Sequence, residues 1–392
     1  MNLINTKANK PNEGQEYFSQ FDNIYPYSEI GRWVVDRNTC QLLRALSHED
    51  SNFTKMGQPI DLDTENEMIM VKYPAYYRKK NCRVNGVEQQ GIALNIVPDK
   101  FGVNCPDGYT IEDWFLNEDG TIAEYRLLGA FNSYEDNGQM ISIPNVIPTR
   151  SKNIQQFRDA SKINRTESGI MSFYAISAVQ RLFILEFGDF DSQKVLGKGK
   201  TYWVYADGAD SEYEIIRSGN TMELGNRSGY LNRMYNEEEL TDGKVSISYR
   251  GLEDFFGNIW QFIDGLAVMD NGYYYTNSLA RMYQIKSNNV LNVDGWNFYE
   301  TIVPTNNGYT SEMYGENLDF SFFSKEVNGG SSTYYSDYRY SYNGAGSMRV
   351  ALLGGSWSDG AGAGAFGWFL FFSAASAFLN FGSRLESRQI NK

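Results

Sequence analysis

The sequence predicts an α+β fold with long loop insertions, and three observations predict it. Between residues 67 and 131, short apolar or aromatic runs are each closed by a proline or glycine turn, the pattern of strands. One segment, Gly169 to Phe187, instead carries apolar residues at helical spacing. The last forty residues join a glycine-rich stretch to a block of aromatics with no regular period, which belongs to neither element type. Thirty-seven glycines beside only 9 prolines, with 28 tyrosines and 24 phenylalanines, suit a compact chain rich in turns. The glycines follow no period of three, which excludes a collagen-like shaft. A length of 392 residues allows one large domain plus something smaller.

Taken in order, residues 1–66 read as a small N-terminal attachment or packing region, punctuated by Asn12-Glu13-Gly14, Tyr25-Pro26 and Gly57-Gln58-Pro59. Within it Trp33-Val34-Val35 suggests a short buried strand, while Val34 to Leu46 is partly helix-like. Residues 67–392 form the main domain. Met68 to Tyr73 reads as a strand stopped by Pro74, and Ala75 to Arg78 resumes an extended pattern. Gly91 to Val97 and Tyr125 to Phe131 are further strand candidates. Asn153 to Ser161 is a weak helical segment, and Gly169 to Phe187 an amphipathic helix. From Gly197 to Tyr249 no long periodic segment occurs. Arg250 to Trp260 opens a more structured stretch, residues 329–347 read as a polar, tyrosine-rich linker or loop, and Met348 to Leu353 reads as a strand.

The formal net charge of −13 leaves no basic stripe for nucleic acid. The opening residues lack a secretion signal, and Phe366 to Phe381 is too short and too interrupted to span a bilayer. Cys40, Cys82 and Cys105 allow at most one bridge, so a disulfide scaffold is not expected.

Catalytic chemistry is hard to find. The single histidine, His48, sits between polar neighbours and reads as structural or solvated. One histidine and dispersed cysteines leave no zinc site. The glycines after Gly354 lack the lysine and hydroxyl of a phosphate loop. Acidic groups at Asp61/Asp63/Glu65, Glu112/Asp113, Asp189/Asp191 and Glu253/Asp254 read as solvated faces, with a carboxylate-pair hydrolase as the alternative. An oxygen-only calcium site near Asp189 and Asp191, or Asp207 and Asp210, matches no ligand spacing.

The carboxy-terminal segment carries the most information. Small residues from Gly354 to Ala365 permit tight turns. Trp368, Phe369, Phe371, Phe372, Phe378 and Phe381 do not alternate, so a strand cannot turn them all inward. Some must face outward, and clustered exposed aromatics mark binding surfaces. The alternative is that they fill a core or a subunit interface. Arg384 reads as a structural arginine pairing locally or capping the final strand.

Here the sequence resembles the C-type-lectin-fold variable proteins of diversity-generating retroelements, a group that includes phage receptor-binding tail proteins. The resemblance rests on Gly354-Gly355-Ser356-Trp357, Ala363-Gly364-Ala365-Phe366, the run Gly367 to Leu379, and Gly382-Ser383-Arg384-Leu385. Upstream, Arg250-Gly251-Leu252-Glu253 with Gly257-Asn258-Ile259-Trp260 is similar to a segment shared with formylglycine-generating and sulfatase-modifying relatives. The helix ending in Glu186-Phe187-Gly188 and the run Val71 to Tyr77 are similar to phage-encoded members.

This resemblance implies a C-type lectin-like (formylglycine-generating-enzyme-like) domain over residues 67–392, with 348–385 the variable ligand-binding segment. It implies that Ser356, Ser358, Asp359, Gly367, Trp368, Phe369, Phe371, Phe372, Ala375, Ala377, Phe378 and Leu379 are ligand-contact positions. Gly354, Gly355, Trp357, Phe366, Gly382 and Arg384 are then scaffold. The run is unusually apolar for a solvent-facing surface, which implies an apolar or aromatic-stacking partner, or a neighbour in an oligomer. The oxidising relatives use a cysteine-bearing site, and no cysteine follows Cys105, so no enzymatic activity and no cofactor are expected. Some relatives bind calcium, for which no ligands are assigned here. The implied partners are a host cell-surface protein or glycan, further copies in a homotrimer, and other tail proteins through the N-terminal region, without nucleic acid or a membrane span. The implied location is the virion, in the phage tail, with the cytoplasm before assembly and lysis as the alternative. A structural tail or decoration protein, using the aromatic segment as a subunit contact, is the second functional reading.

Overall fold

The computed structural model describes residues 19–79, 91–165, 167–203, 215–231, 246–268 and 349–387, with shorter stretches between 304 and 341; for a few further strand segments only the backbone course is described. Two six-stranded sheets organise these residues. The first takes β1 (Gly31–Asp36), β2 (Leu42–Ala45), β3 (Glu67–Pro74), β4 (Tyr125–Asn132), β5 (Ser168–Ile170) and, from the far end of the chain, β12 (Arg384–Ser387). Its spatial order is β5-β12-β4-β3-β1-β2, with every neighbouring pair antiparallel. The second is mixed. It comprises β6 (Trp260–Val268), β7 (Tyr273–Thr276), β8 (Asn297–Ile302), β9 (Arg349–Gly354), β10 (Gly364–Phe369) and β11 (Phe381–Gly382), the last running parallel to β6. The architecture is therefore α+β, built on one antiparallel and one mixed sheet.

β3 shows why an uninterrupted apolar run can be a strand. Ile69, Val71 and Tyr73 point to one side, into a core shared with Phe173, Val179 and Phe183. Met68 and Met70 point to the other, where they pack in a second core with Ile154 and Phe157. Both faces are covered, so no polar alternation is selected. Those two cores hold α2 (Phe173–Phe187) and α1 (Ile154–Lys162) respectively. Asn153 caps α1 in a reciprocal box with Gln156, and Ser172 caps α2, which ends at left-handed Gly188. A short α3 (Ser192–Leu196) follows, capped by Asp191.

Four expectations need correction. Val34 to Leu46 is not helical but the β1–β2 hairpin, where pairing to β3 outweighs a weak helical spacing. Gly91 to Val97 makes only an isolated bridge, Ile92 to Arg78, because the chain turns at once around Asn95. Residues 168–170 form β5, so α2 begins four residues late. Nor is α2 amphipathic, since apart from Ile184 and Leu185 it is buried all round. Three of its buried polar residues have partners inside: Gln180 donates to the Ala365 carbonyl, Arg181 pairs with Glu112, and Glu186 pairs with Arg250. In the described part of 329–347, expected as a linker or loop, Tyr338–Arg339 pairs with Gly308–Tyr309.

The boundary expected at residue 66 falls within a sheet. β1 and β2 precede it, yet β1 pairs with β3 along its whole length. The chain's beginning, middle and end thus share one sheet, closed when β12 enters between β4 and β5. No helix among the described residues is long and apolar enough to cross a membrane.

Candidate functional site

β9 leads out of the second sheet into Gly354 and Gly355, at φ +101° and +81°. A Cβ on Gly355 would sit 2.5 Å from that of Ala363, so the turn demands glycine twice over, by conformation and by space. Ser356 is then fixed by Asp359, whose carboxylate accepts from its backbone N–H at 2.7 Å and its hydroxyl at 2.6 Å. Trp357 is buried against Ile215 and Ile259. β10 returns antiparallel to β9, with Leu352 opposite Phe369 and Leu353 opposite Trp368. A Cβ on Gly364 would lie 2.1 Å from the Asp337 carboxylate, which accepts the Phe366 N–H at 2.8 Å. That carboxyl is buried, and burial pushes it well above the ordinary carboxylate range.

Beyond β10 the chain runs irregularly from Leu370 to Asn380 before re-entering as β11 and β12. This stretch carries a connected aromatic cluster. Tyr340 lies 4.5 Å from Phe369, Phe369 lies 4.6 Å from Phe372, and Phe372 lies 5.1 Å from Phe378 and 4.9 Å from Phe381, all between ring centroids. Trp260 closes the cluster from β6, 5.2 Å from Phe369. On its outer side Phe371, Phe378 and Leu379 are 39, 47 and 40 % exposed. Arg349 places its guanidinium 5.9 Å from the Phe371 ring.

The twelve expected contact positions divide three ways. Ser358, Phe371, Ala375, Ala377, Phe378 and Leu379 are exposed, and Asp359, Phe369 and Phe372 half-buried. Ser356, Gly367 and Trp368 are buried, so as placed they meet no ligand from solvent. Strand alternation explains Trp368, which shares a face with Phe366 and enters the α2 core while Phe369 turns to the opposite side. Gly367 is covered by the Gly362 and Gly364 carbonyls, and Ser356 is locked by Asp359.

The six scaffold positions, Gly354, Gly355, Trp357, Phe366, Gly382 and Arg384, are all buried. Arg384 does not pair locally, however. Its guanidinium reaches Gln261 and Asn132 side chains and the carbonyls of Gly129, Ala130, Glu253 and Asp254, all far away in sequence. It ties both sheets to the Arg250–Trp260 segment.

Asp254 lies beside that network with Asn258 donating to it at 3.2 Å. Burial first, then the Glu253 carboxylate, push it up to about 8, against the pull of Arg384, Ser246 and Asn258. A carboxyl raised on folding stabilises below its ordinary range and loses that contribution as pH climbs through the raised value. Unfolding free energy should therefore fall from about pH 4 to pH 8 in urea titrations. Asp254→Asn, which keeps the acceptor for Asn258, should flatten that slope, and an unchanged slope would place the titration elsewhere.

Three of the acidic groups weighed for catalysis or metal are held by protein partners, and the fourth, Asp61, Asp63 and Glu65, is exposed. Glu112 pairs with Arg181 and Asp113 with Arg78; Glu253 accepts the Gly219 and Thr221 N–H groups; Asp189 accepts the Asp191 N–H. Among the described residues no group of three or more His, Cys, Asp or Glu is placed to hold a metal ion. Asp207, Asp210 and Cys82 lie outside the described residues. Half-exposed His48 stands 3.7 Å from Asp22, and Cys40 and Cys105 are free thiols.

Tyr340 and Trp203 were not visible as site residues in the sequence. Tyr340 donates to Asp359 at 3.1 Å and so joins the cluster to the Ser356 turn. Trp203, 47 % exposed, meets Trp357 edge-on with centroids 6.4 Å apart. Neither lies in the glycine and aromatic run that signals the surface.

No family model and no curated protein matches the chain. Among solved structures it is similar to "Major Tropism Determinant P3c Variant", at 11% identity and a TM-score of 0.28, over 91% of this chain and 71% of that one. It is similar also to "Major Tropism Determinant M1 Variant", at 12% identity and the same TM-score and coverage.

Proposed function

We propose that the surface from Ser358 to Leu379 binds a ligand without transforming it, and that the chain serves host-surface recognition as a phage or prophage tail protein. The observation that carries the binding reading is a partly exposed aromatic cluster on a stiff, buried scaffold. Phe371, Phe378 and Leu379 face solvent, while the turn beneath them is fixed by two left-handed glycines and the Asp359 carboxylate. Outward aromatics on a preorganised base lose little entropy on binding, which suits them as anchors. The host-recognition reading rests on the terminal motifs and their resemblance to retroelement variable proteins. On that reading the exposed positions are the diversified ones, the partner is a host surface protein or glycan, and the location is the virion.

One observation favours a second reading. From Gly360 to Ser383 no residue is charged, a composition that also suits a subunit contact within a homotrimer or another tail assembly. Phe371→Ser with Phe378→Ser separates the two. Both rings are about half exposed, so unfolding free energy should shift by no more than about 2 kcal/mol in urea. Unchanged mass by light scattering with lost adsorption to host cells is the expected result, whereas dissociation would favour the subunit contact. The diversification claim has its own test. A near-identical template copy of the 348–385 coding stretch beside a reverse transcriptase gene, mismatched chiefly at adenines, is expected, and absence of both removes it.

A further inference from the structure

We infer that Trp203, outside the glycine and aromatic run, is a second anchor of the proposed surface, and that its partner is a polypeptide presenting an apolar side chain. The inference rests on the binding reading above and extends it to another loop.

The 200–203 segment is tied to the candidate surface by backbone, not merely near it. Gly360 donates to the Thr201 carbonyl at 2.8 Å, and Asn258 donates to the Lys200 carbonyl at 2.7 Å. Trp357 in turn donates to the Asn258 carbonyl at 3.2 Å. The Tyr202 ring packs over Gly360, 3.3 Å from where a Cβ would stand, and Lys200 returns its ammonium to the Tyr202 carbonyl at 2.9 Å. Trp203 is thereby held against buried Trp357 while nearly half its surface stays in solvent. Ser358, also exposed, is the next residue along.

The phenylalanine segment is joined to the same turn by a hydrogen bond. Asn380 reaches Ser356 at 3.4 Å, bringing Leu379 and Phe378 to the same turn that carries Trp357. Trp203, of a residue type enriched in binding hot spots, and the exposed phenylalanines are then two sets of aromatic anchors joined through that turn.

The polar groups decide the class of partner. A saccharide needs free, convergent donors and acceptors around a stacking ring. Here Ser356 and Ser358 hydroxyls face each other at 3.2 Å, Ser373 and Ser376 at 3.4 Å, and Asp359 is engaged by Ser356 and Tyr340. Each of these polar groups already has an intramolecular partner, and the large exposed side chains around them, Trp203, Phe371, Phe378 and Leu379, are apolar. With no charge from Gly360 to Ser383, that matches the desolvated centre of a protein interface.

The test uses the intact chain, a random linear-peptide display library as one probe and immobilised neutral oligosaccharides as the other. Panning should enrich peptides with an aromatic or aliphatic anchor. Their affinity should fall about tenfold in Trp203→Ser, the loss of one hot-spot contact, and return in Trp203→Phe, with cooperative unfolding retained in both variants. Peptide binding lost in Phe378→Ser but kept in Trp203→Ser overturns the inference and leaves the binding reading intact. Loss in Trp203→Ser with none in Phe371→Ser or Phe378→Ser instead removes the phenylalanine surface. Failure to enrich any peptide, or saccharide retention that depends on Trp203, overturns the polypeptide class.

Discussion

Arg384→Ala should destabilise the chain by about 3–5 kcal/mol, the cost of leaving several buried acceptors without their donor. The guanidinium is fully buried and makes six hydrogen bonds, to Gln261, Gly129, Ala130, Asn132, Glu253 and Asp254. Alanine strands those acceptors without water, and each orphan costs about 1–3 kcal/mol before the structure relaxes. Four of the six acceptors are backbone carbonyls in two separate segments, so no single side-chain shift can satisfy them. Set against a typical stability of about 5–15 kcal/mol, the loss leaves the variant near its unfolding transition. Arg384→Lys keeps the charge but lacks the planar fork that serves several acceptors at once, and should recover less than half the loss. Urea denaturation followed by tryptophan fluorescence measures both variants. A change below about 1 kcal/mol in the alanine variant would falsify the view that this residue binds the two sheets together.

The same residue shows where the sequence is legible and where it is not. Its structural character follows from its place after Gly382 in the terminal run, but its partners lie between residues 129 and 261, beyond any local pattern. β3, β4 and the two longest helices are legible because apolar runs closed by turns, or apolar residues at helical spacing, are local signals, although the spacing misplaces the start of α2. The β1–β2 hairpin is not legible, since what makes it a strand pair is β3, a non-local neighbour. At the candidate site the glycine frame was legible, because left-handed turns and close approaches leave glycine no substitute. The outward set was legible only in part. A contiguous aromatic run gives no register, so Trp368 was grouped with Phe369 although alternation sends them to opposite sides. Tyr340 and Trp203 join the surface through tertiary contact alone and carry no local signal.

Glu186 provides the other large effect, and it concerns how the helix end is docked to the segment before β6. Its carboxylate takes two bonds from Arg250, at 2.7 and 2.6 Å, and one from the Tyr249 hydroxyl at 3.2 Å. Arg250 also reaches Asp22 at 3.1 Å and lies 4.7 Å from the Tyr27 ring centroid. Glu186→Ala leaves a fully buried guanidinium with Asp22 as its remaining carboxylate in this network, and should cost about 3–5 kcal/mol. Replacing both partners, Glu186→Met with Arg250→Met, removes the charges together with the demand for them, and should be the milder change despite altering two residues. That ordering distinguishes a pair that contributes net stability from one whose removal merely exposes an unpaired charge. If the double variant is instead the less stable of the two, the pair is a true source of stability. The helix end, the N-terminal segment at Asp22 and the Arg250 turn then depend on its attraction. If the double variant is the more stable, hydrophobic packing would hold these elements as well, and the ion pair serves chiefly to fix which segments meet. The geometry favours the second outcome, because Tyr27, Phe183 and Phe187 already surround the site with apolar contacts.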